Sequence, residues 1–183
     1  CRWDLRSESK DCFGISGSYY PIGLAASSDG KTLRVETMAK NRSVTKQREV
    51  TFWDTGSGQL IPESEARWNR NTPASSVSPF DVRTVGTSVE LRDSESGERV
   101  ALLKGHRRPI RTWHFAPDGR TLATGAGTQI KLWNLATFQE IGTLSIDTNI
   151  YKLTYLPDGT LVTADDYCEI RLWRTATLDS RRE

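Results

Sequence analysis

The stretch IKLW at Ile130–Trp133 is repeated forty residues later as IRLW at Ile170–Trp173. A Pro-Asp-Gly turn precedes each copy at the same distance, at Pro117–Gly119 and again at Pro157–Gly159. Sequence units of about forty residues that each contain a strand ending in tryptophan are typical of stacked β-sheet repeats. One such unit cannot bury both of its faces alone, so the repeat predicts several sheets packed side by side.

Less regular copies of this repeat extend towards the N-terminus. Trp53 stands eighty residues before Trp133, and Trp3 marks a further copy. The copy between Trp53 and Trp133 is Val89–Asp93, with Arg92 at the place of the tryptophan. Because it has also lost its turn signature, this copy predicts a degenerate repeat unit.

Within one period the local pattern is that of four short strands. Ile110–Phe115 is the first, and the Pro-Asp-Gly turn after it reverses the chain, because proline presets φ and glycine takes a positive φ. Arg120–Thr124, Gln129–Trp133 and Gln139–Leu144 supply the other three strands. Short strands joined by tight turns form an antiparallel sheet. Since no stretch shows convincing helical periodicity, the sequence predicts an all-β fold.

These features resemble the WD-repeat β-propeller family. The resemblance rests on Gly105-His106 before the first strand, on the Pro-Asp-Gly turn and on the Ile-x-Leu-Trp third strand, and it is clearest from Leu103 to Trp173. In that family each blade is a four-stranded sheet around a central axis. The resemblance implies innermost strands at Tyr20–Ala26, Glu65–Arg70, Ile110–Phe115 and Ile150–Tyr155.

The repeat divides the chain into a partial propeller of three to four blades, with half a blade at the N-terminus. Residues 1–16 are interpreted as the end of a truncated blade, with strands at Cys1–Asp4 and Asp11–Ile15. The further units are a blade at 17–61 with an insertion at 38–49, a degenerate blade at 62–103, a blade at 104–144, a last blade at 145–174 without its outer strand, and a tail at 175–183.

The length indicates that the ring is incomplete. Seven-bladed propellers of this family need roughly 280–320 residues, and this chain has 183 and begins with Cys1. We interpret it as the C-terminal part of a longer bacterial protein whose N-terminus supplies the missing strand. The alternative is that a second copy closes the ring. In either case the isolated chain is expected to expose two apolar blade faces, which are unusual on soluble monomers.

Composition limits the classes of partner and compartment. The formal net charge is +2, which is too close to neutral to indicate nucleic acid, and no apolar run is long enough for a membrane span in this segment. Three cysteines, an odd number without metal-ligand spacing, argue against a disulfide framework. That favours a reducing compartment such as the cytoplasm.

Few residues of the sequence are candidates for catalysis, cofactor binding or metal binding. The resemblance implies that His106 belongs to a structural network with a Ser or Thr on the second strand, an Asp in the next turn and the third-strand Trp. Thr124 and Trp133 match in the blade of His106, and Thr163 and Trp173 match in the last blade, where the His is missing. The first of these blades lacks the Asp. No catalytic, cofactor-binding or metal-binding residue is predicted, and the chain is not expected to be an enzyme.

Basic and aromatic residues gather where loops enter the innermost strands. The stretch Lys104–Arg111 carries four positive charges. In the family such loops lie on one rim of the propeller where partners dock, and Arg is enriched among interface hot spots. Lys152 stands at an inner-strand site and reaches either into the water-filled channel or to a partner. The predicted protein-binding residues are Arg107, Arg108, Arg111, Tyr151, Lys152 and Tyr167.

The resulting hypothesis is a non-catalytic scaffold that presents its rim loops to a protein or peptide. An alternative follows from the ending Leu172–Leu178, which resembles the C-terminal propellers of large bacterial proteins, some of which carry a Ser/Thr protein kinase. The chain would then be a sensor or targeting arm of an enzyme, although it contains no kinase catalytic loop itself. The sequence preceding Cys1 would decide between them.

Overall fold

The fold is known from a computed structural model, which describes residues 12–14, 19–39, 48–66 and 78–174. Within these residues the regular elements are β-strands, arranged in four antiparallel sheets. The predicted all-β class and the prediction of three to four antiparallel blades are therefore confirmed. A membrane-crossing helix, long and apolar enough to span a bilayer, is not found in the described part of the chain.

The four sheets are called blades 1 to 4. A short strand, β1 (Cys12–Gly14), comes first and belongs to blade 4. Blade 1 contains β2 (Tyr19–Ala26), β3 (Thr32–Ala39), β4 (Arg48–Asp54) and β5 (Leu60–Ile61). Blade 2 contains β6 (Phe80–Val85), β7 (Ser88–Asp93) and β8 (Arg99–Lys104). Blade 3 contains β9 (Thr112–Phe115), β10 (Thr121–Ala126), β11 (Gln129–Asn134) and β12 (Glu140–Ser145), and blade 4 contains β13 (Ile150–Tyr155), β14 (Leu161–Asp165) and β15 (Glu169–Trp173).

Strand β1 completes blade 4 as its outermost strand. It pairs antiparallel with β15, with Cys12 opposite Arg171 and Gly14 opposite Glu169. The sequence interpretation differs on both points, since it assigned this strand to a separate truncated blade and left the last blade without an outer strand. The pairing satisfies backbone groups along the edge of β15 that would otherwise be open. Asp11, Ile15 and the predicted strand at Cys1–Asp4 lie outside the described residues.

The blades follow one another in space in the order 2, 3, 4, 1. Three clusters of buried apolar side chains join blade 2 to blade 3, blade 3 to blade 4, and blade 4 to blade 1. Within the described residues no such cluster joins blade 1 to blade 2. The first and last described strands, β1 and β15, pair with each other in blade 4, and among the described residues the arc has an open sector between blade 1 and blade 2.

In blade 3 a single strand contributes side chains to the interfaces with both neighbouring blades. Successive side chains of a strand point to opposite faces of the sheet. Leu122 and Trp133 face blade 2, while Ala123 and Leu132 face blade 4. This double burial explains why β10 and β11 are buried along almost their whole length.

Blade 2 has three strands in the described part of the chain. An innermost strand was predicted at Glu65–Arg70, but the backbone N–H groups of Glu65 and Ala66 both donate to Pro62 O, in a turn. Residues 67–70 lie outside the described residues. The prediction is therefore wrong for its first two residues, because the chain is still turning there.

The blade faces that line the open sector carry ion pairs beside apolar side chains such as Val50 of blade 1 and Leu102 of blade 2, both 39% exposed. On blade 1 the Glu36 carboxylate pairs with Arg34 and, at 2.6 Å, with Arg48. On blade 2 Arg92 Nε lies 2.5 Å from Glu90 Oε1. These residues alternate with the buried ones that face blades 4 and 3, so they point into the open sector. Arg92 occupies the position of the expected tryptophan.

The insertion predicted at 38–49 lengthens the hairpin between β3 and β4. The two strands stay paired as far as Met38 opposite Arg48. Residues 40–47, which join them, lie outside the described residues. The insertion thus leaves the sheet intact.

Candidate functional site

The connections of each blade alternate between two rims, because neighbouring strands run in opposite directions. The loops that enter the innermost strands share one rim with the turns between the second and third strands. Hydrogen bonds join them directly: Ile150 N donates to Gly127 O at 2.7 Å, and Asp166 N donates to Asn149 O at 3.0 Å. We call this the upper rim. It carries the six predicted binding residues, in the loop before β9, at the start of β13 and in the β14–β15 turn.

A groove opens at the upper rim where three blades meet, with a volume of about 240 Å³. We call it the rim groove. It brings together three of the six predicted residues, Arg111, Tyr151 and Lys152. Sequence reasoning missed the other three lining residues, Tyr20, Pro21 and Ile22 of β2. Its side wall on blade 1 could not be anticipated, because the repeat does not say that blade 1 packs on blade 4.

Two β-bulges shape the rim groove. In β2 the register passes from Pro21 opposite Thr37 to Gly23 opposite Glu36, so Ile22 is the extra residue. In β13 it passes from Ile150 opposite Asp165 to Lys152 opposite Ala164, so Tyr151 is the extra residue. Bulges redirect side chains and are frequent beside functional sites. They turn these two residues towards the groove.

Arg111 occupies the corresponding position of blade 3. It directly precedes Thr112, which lies opposite Gly125, and Arg111 N donates to Gly125 O at 2.9 Å. Ile22, Arg111 and Tyr151 are thus equivalent residues of three adjacent inner strands. One position of the repeat thus supplies three of the six residues that line the rim groove, with a different side chain in each blade.

The aromatic and cationic side chains of the rim groove stack on one another. The guanidinium carbon of Arg111 lies 4.4 Å from the ring centroid of Tyr151. The Tyr151 ring in turn lies 5.8 Å from that of Tyr20, and the Tyr20 hydroxyl donates to Met38 Sδ at 3.1 Å. A cation over an aromatic face is attracted by the ring quadrupole. The stack therefore holds Arg111 in one orientation.

The charge of the rim groove is positive. No acidic residue lines it, and within the described residues neither Arg111 nor Lys152 has a carboxylate partner. Some other cations do pair with carboxylates, for example Lys131 with Glu140 and Arg171 with Asp165. Two uncompensated positive charges beside an aromatic wall favour an anionic group.

The remaining predicted residues lie on the upper rim outside the rim groove. Arg107 and Arg108 are exposed in the loop before β9. The Arg108 side chain covers Gly127, whose hypothetical Cβ would lie 2.7 Å from Arg108 Cδ. Tyr167 is 63% exposed in the β14–β15 turn, where its backbone N–H donates to Asp165 Oδ1 at 2.9 Å. The structure thus separates the six residues into a groove and a surrounding rim.

His106 lies in a buried network below the rim. Its Nε2 is 2.7 Å from Thr124 Oγ1, and Trp133 Nε1 donates to the same oxygen at 2.8 Å. His106 Nδ1 is buried and has no hydrogen-bond partner. Burial, followed by the positive charge of Lys131, lowers the pKa of His106 from 6.5 to about 4, although Glu140 and Thr124 oppose the shift. The imidazole is therefore neutral at physiological pH.

Blade 4 carries a different part of the same network. Trp173 Nε1 donates to Thr163 Oγ1 at 3.0 Å. The buried carboxylate of Asp165 accepts hydrogen bonds from Thr148 Oγ1 at 2.6 Å and from the backbone N–H of Glu169 at 2.9 Å. By sheet register Asp165 corresponds to Ala126 of blade 3, which explains why His106 Nδ1 has no acidic partner. These contacts stabilise the blades and do not reach the rim groove.

The described part of the chain offers few candidate residues for catalysis or metal binding. Among those residues, no group of three or more His, Cys, Asp or Glu side chains is placed to hold a metal ion. The phenol of Tyr155 is buried, and burial raises its pKa far above the usual range. His114 Nδ1 lies 2.8 Å from the carbonyl oxygen of Phe115, next to it in sequence.

Four-stranded antiparallel blades packed face to face define a propeller-type repeat protein. Residues 97–134 match the family model described as "WD domain, G-beta repeat". The fold is similar to that of the WD40 beta propeller domain of Doa1, with a TM-score of 0.50 and 11% identity, over 86% of this chain and 51% of that one. At this identity the likeness concerns the fold alone.

Curated relatives from three eukaryotes match parts of the chain. The serine-threonine kinase receptor-associated protein of Dictyostelium discoideum is 27% identical, over 72% of this chain and 42% of its own length. Eukaryotic translation initiation factor 3 subunit I of Phaeosphaeria nodorum is 35% identical (37% and 20%), and protein FIZZY-RELATED 3 of Arabidopsis thaliana is 28% identical (60% and 24%). The chain spans less than half of each. Their eukaryotic origin gives no support to the bacterial source expected from the sequence.

Proposed function

We propose that this chain is a non-catalytic protein-binding scaffold whose upper rim receives a protein or peptide partner. The rim groove carries this proposal, because it places Arg111, Tyr151 and Lys152 against Tyr20 in one concave site. Arg107, Arg108 and Tyr167 surround it on the same rim and extend the surface that a partner covers.

The composition of the rim groove is that of a binding hot spot. Arg and Tyr are enriched at the centres of protein interfaces, and Arg111, Tyr20 and Tyr151 are three of the six residues that line the groove. The arginine and both tyrosines are held by stacking before a partner arrives. Such preorganisation reduces the conformational entropy lost on binding. The blades thus serve as a rigid support for a small number of exposed contacts.

The comparisons support the class of function. WD repeats generally mediate protein–protein interaction, and residues 97–134 match that repeat. Two relatives are named for membership of an assembly, one as receptor-associated and one as a subunit. A scaffold role for this chain agrees with those names.

A charge-reversal experiment tests the upper rim. Arg108→Glu combined with Arg111→Glu reverses two charges there, and the matched control combines Arg99→Glu with Arg120→Glu, both exposed at the opposite rim. Proteins captured from the native cell extract are cross-linked to the chain and located by mass spectrometry. We expect cross-links at the upper rim to be lost in the first variant and kept in the control. An unchanged partner set in the first variant overturns the proposal.

The alternative role, a sensor or targeting arm of a larger enzyme such as a Ser/Thr kinase, depends on the ending Leu172–Leu178. Residues 175–178 of that ending lie outside the described residues. The coding sequence ahead of Cys1 tests this alternative directly, since a kinase domain there would support it.

A further inference from the structure

We propose that the rim groove binds the carboxylate of a Glu or Asp side chain in an extended peptide, with Arg111 in direct contact and Tyr151 as the residue that positions it. The inference depends on the proposed function, because it names the chemistry of the partner for the same groove. It follows from three observations: uncompensated charge, a guanidinium fixed by stacking, and a small volume with an apolar wall.

The first observation is electrostatic. Arg111 and Lys152 line the rim groove together, and no carboxylate of the described residues pairs with either. The sheltered walls of a groove strengthen the field of such charges above that of exposed ones. A peptide carboxylate supplies the missing negative charge.

The second observation is the orientation of Arg111. Its guanidinium stacks on the face of Tyr151, with 4.4 Å from the guanidinium carbon to the ring centroid. A stacked guanidinium uses its face and keeps the N–H donors at its edge for other partners. Two parallel N–H donors match the two oxygens of a carboxylate, and this bidentate pairing is both strong and directional. Tyr151 thus determines where those donors point.

The third observation is size. About 240 Å³ is below the usual range of roughly 300–1,000 Å³ for small-molecule sites, so the groove fits one or two side chains. Pro21 and Ile22 of blade 1 add an apolar wall to the groove. An acidic residue beside an aliphatic one in an extended peptide therefore fits the site.

The planar geometry of the Arg111 guanidinium favours a carboxylate over a phosphate group as the ligand of the rim groove. Sites for phosphate commonly combine several cations with backbone N–H donors at a helix N-terminus or in a nest. The rim groove offers one guanidinium fork and one ammonium group beside an aromatic wall. A phosphoserine peptide serves as the competing probe.

The test uses the full 183-residue chain and fluorescein-labelled peptides in fluorescence polarisation. The probe has the sequence Gly-Ser-Leu-Glu-Leu-Ser-Gly, and two matched peptides carry Gln or phosphoserine in place of Glu. We expect the Glu peptide to bind at least about tenfold more tightly than the Gln peptide, since Gln lacks the charge for the bidentate pair. Equal binding of the two, or a preference for phosphoserine, overturns the inference.

Substitutions assign the roles of the two residues. Arg111→Lys keeps the charge but loses the fork, and we expect binding of the Glu peptide to weaken about tenfold. Tyr151→Leu removes the stacking ring and should weaken binding by a similar factor, whereas Tyr151→Phe keeps the ring and should restore wild-type affinity. Arg120→Gln is the control, since Arg120 is exposed at the opposite rim, outside the proposed binding surface.

Two results contradict these roles. Loss of binding in Arg120→Gln equal to that in Arg111→Lys would mean that only the general charge of the protein matters. Equal affinity in Tyr151→Leu and Tyr151→Phe would exclude positioning by the ring. Thermal unfolding of each variant at the wild-type temperature shows that the fold is retained. If the native partner depends on the upper rim but the Glu peptide does not bind, the scaffold proposal stands and the carboxylate inference fails.

Discussion

Thr124 Oγ1 accepts a hydrogen bond from Trp133 Nε1 at 2.8 Å, across two neighbouring strands of blade 3. The same oxygen lies 2.7 Å from His106 Nε2, so one hydroxyl serves two buried nitrogen atoms. In blade 4 the equivalent hydroxyl, Thr163 Oγ1, accepts a hydrogen bond from Trp173 Nε1 and from no second side chain of the described residues. This difference makes the two blades a matched pair for measuring what the shared hydroxyl contributes.

Replacing Thr124 by Val keeps the shape of the side chain and removes the shared partner. Because two buried nitrogen atoms are then left unpaired, we expect the free energy of unfolding to fall by about 2–4 kcal/mol. Thr163→Val leaves one nitrogen unpaired and should cost about half as much. Urea unfolding of both variants measures the difference. Equal losses would show that the contact with His106 adds nothing.

Stability should depend on pH through His106. Burial lowers the pKa of this imidazole from 6.5 to about 4, so the folded state binds its proton less readily than the unfolded chain. The contribution is therefore complete above pH 6.5 and is lost as the pH falls from 6.5 towards 4. Between about pH 7.5 and about pH 5 the loss is on the order of 2 kcal/mol. In His106→Gln this part of the pH dependence should disappear, and an unchanged slope would contradict the assignment.

Gly125 allows blades 3 and 4 to approach closely. A Cβ at Gly125 would lie 2.8 Å from Thr112 Cγ2 and 3.0 Å from Ile150 Cγ2. Gly125→Ala should therefore destabilise the fold by about 1–3 kcal/mol through overpacking. Gly142 of β12 is the control, because a Cβ there meets no atom within 4 Å. Gly142→Ala should change the unfolding midpoint little or raise it, so a similar loss in both variants would refute the packing argument.

Removing residues 1–14 should open the outer edge of blade 4. The deletion takes away β1, the partner of β15, and leaves that strand's outer backbone groups unpaired. Open strand edges pair with other chains. We expect faster proteolysis within Glu169–Trp173 and concentration-dependent association in sedimentation velocity. A truncated chain that remains monomeric and resistant to protease would show that the pairing is dispensable.

The strand pattern was accessible from the sequence because it is local. The predicted inner strand Ile150–Tyr155 agrees with β13, and Tyr20–Ala26 differs from β2 by one residue. The pairing of Cys12–Gly14 with β15 was not accessible, because three residues carry no periodicity and their partner lies at the other end of the chain.

The candidate site was accessible in part. A charged loop and an unusual lysine on an inner strand directed attention to Arg111 and Lys152, which the structure places in one groove. Tyr20 and Ile22 could not be identified from the sequence, because they line the groove only through the packing of blade 1 on blade 4 and a bulge in β2. Neither spatial adjacency nor register can be read from residue types along one strand. Whether the groove binds a partner stays a prediction.

The union of Cys12–Gly14 with β15 also bears on how this chain is made. The two paired strands are separated by more than 150 positions, so blade 4 stays unfinished until β15 has left the ribosome. Contacts of such long range delay folding, because loop closure precedes any gain from pairing. During synthesis Cys12–Gly14 remain without their partner strand until β15 has been made. The time between the synthesis of β1 and that of β15 is set by the translation rate, at roughly 5–20 residues per second.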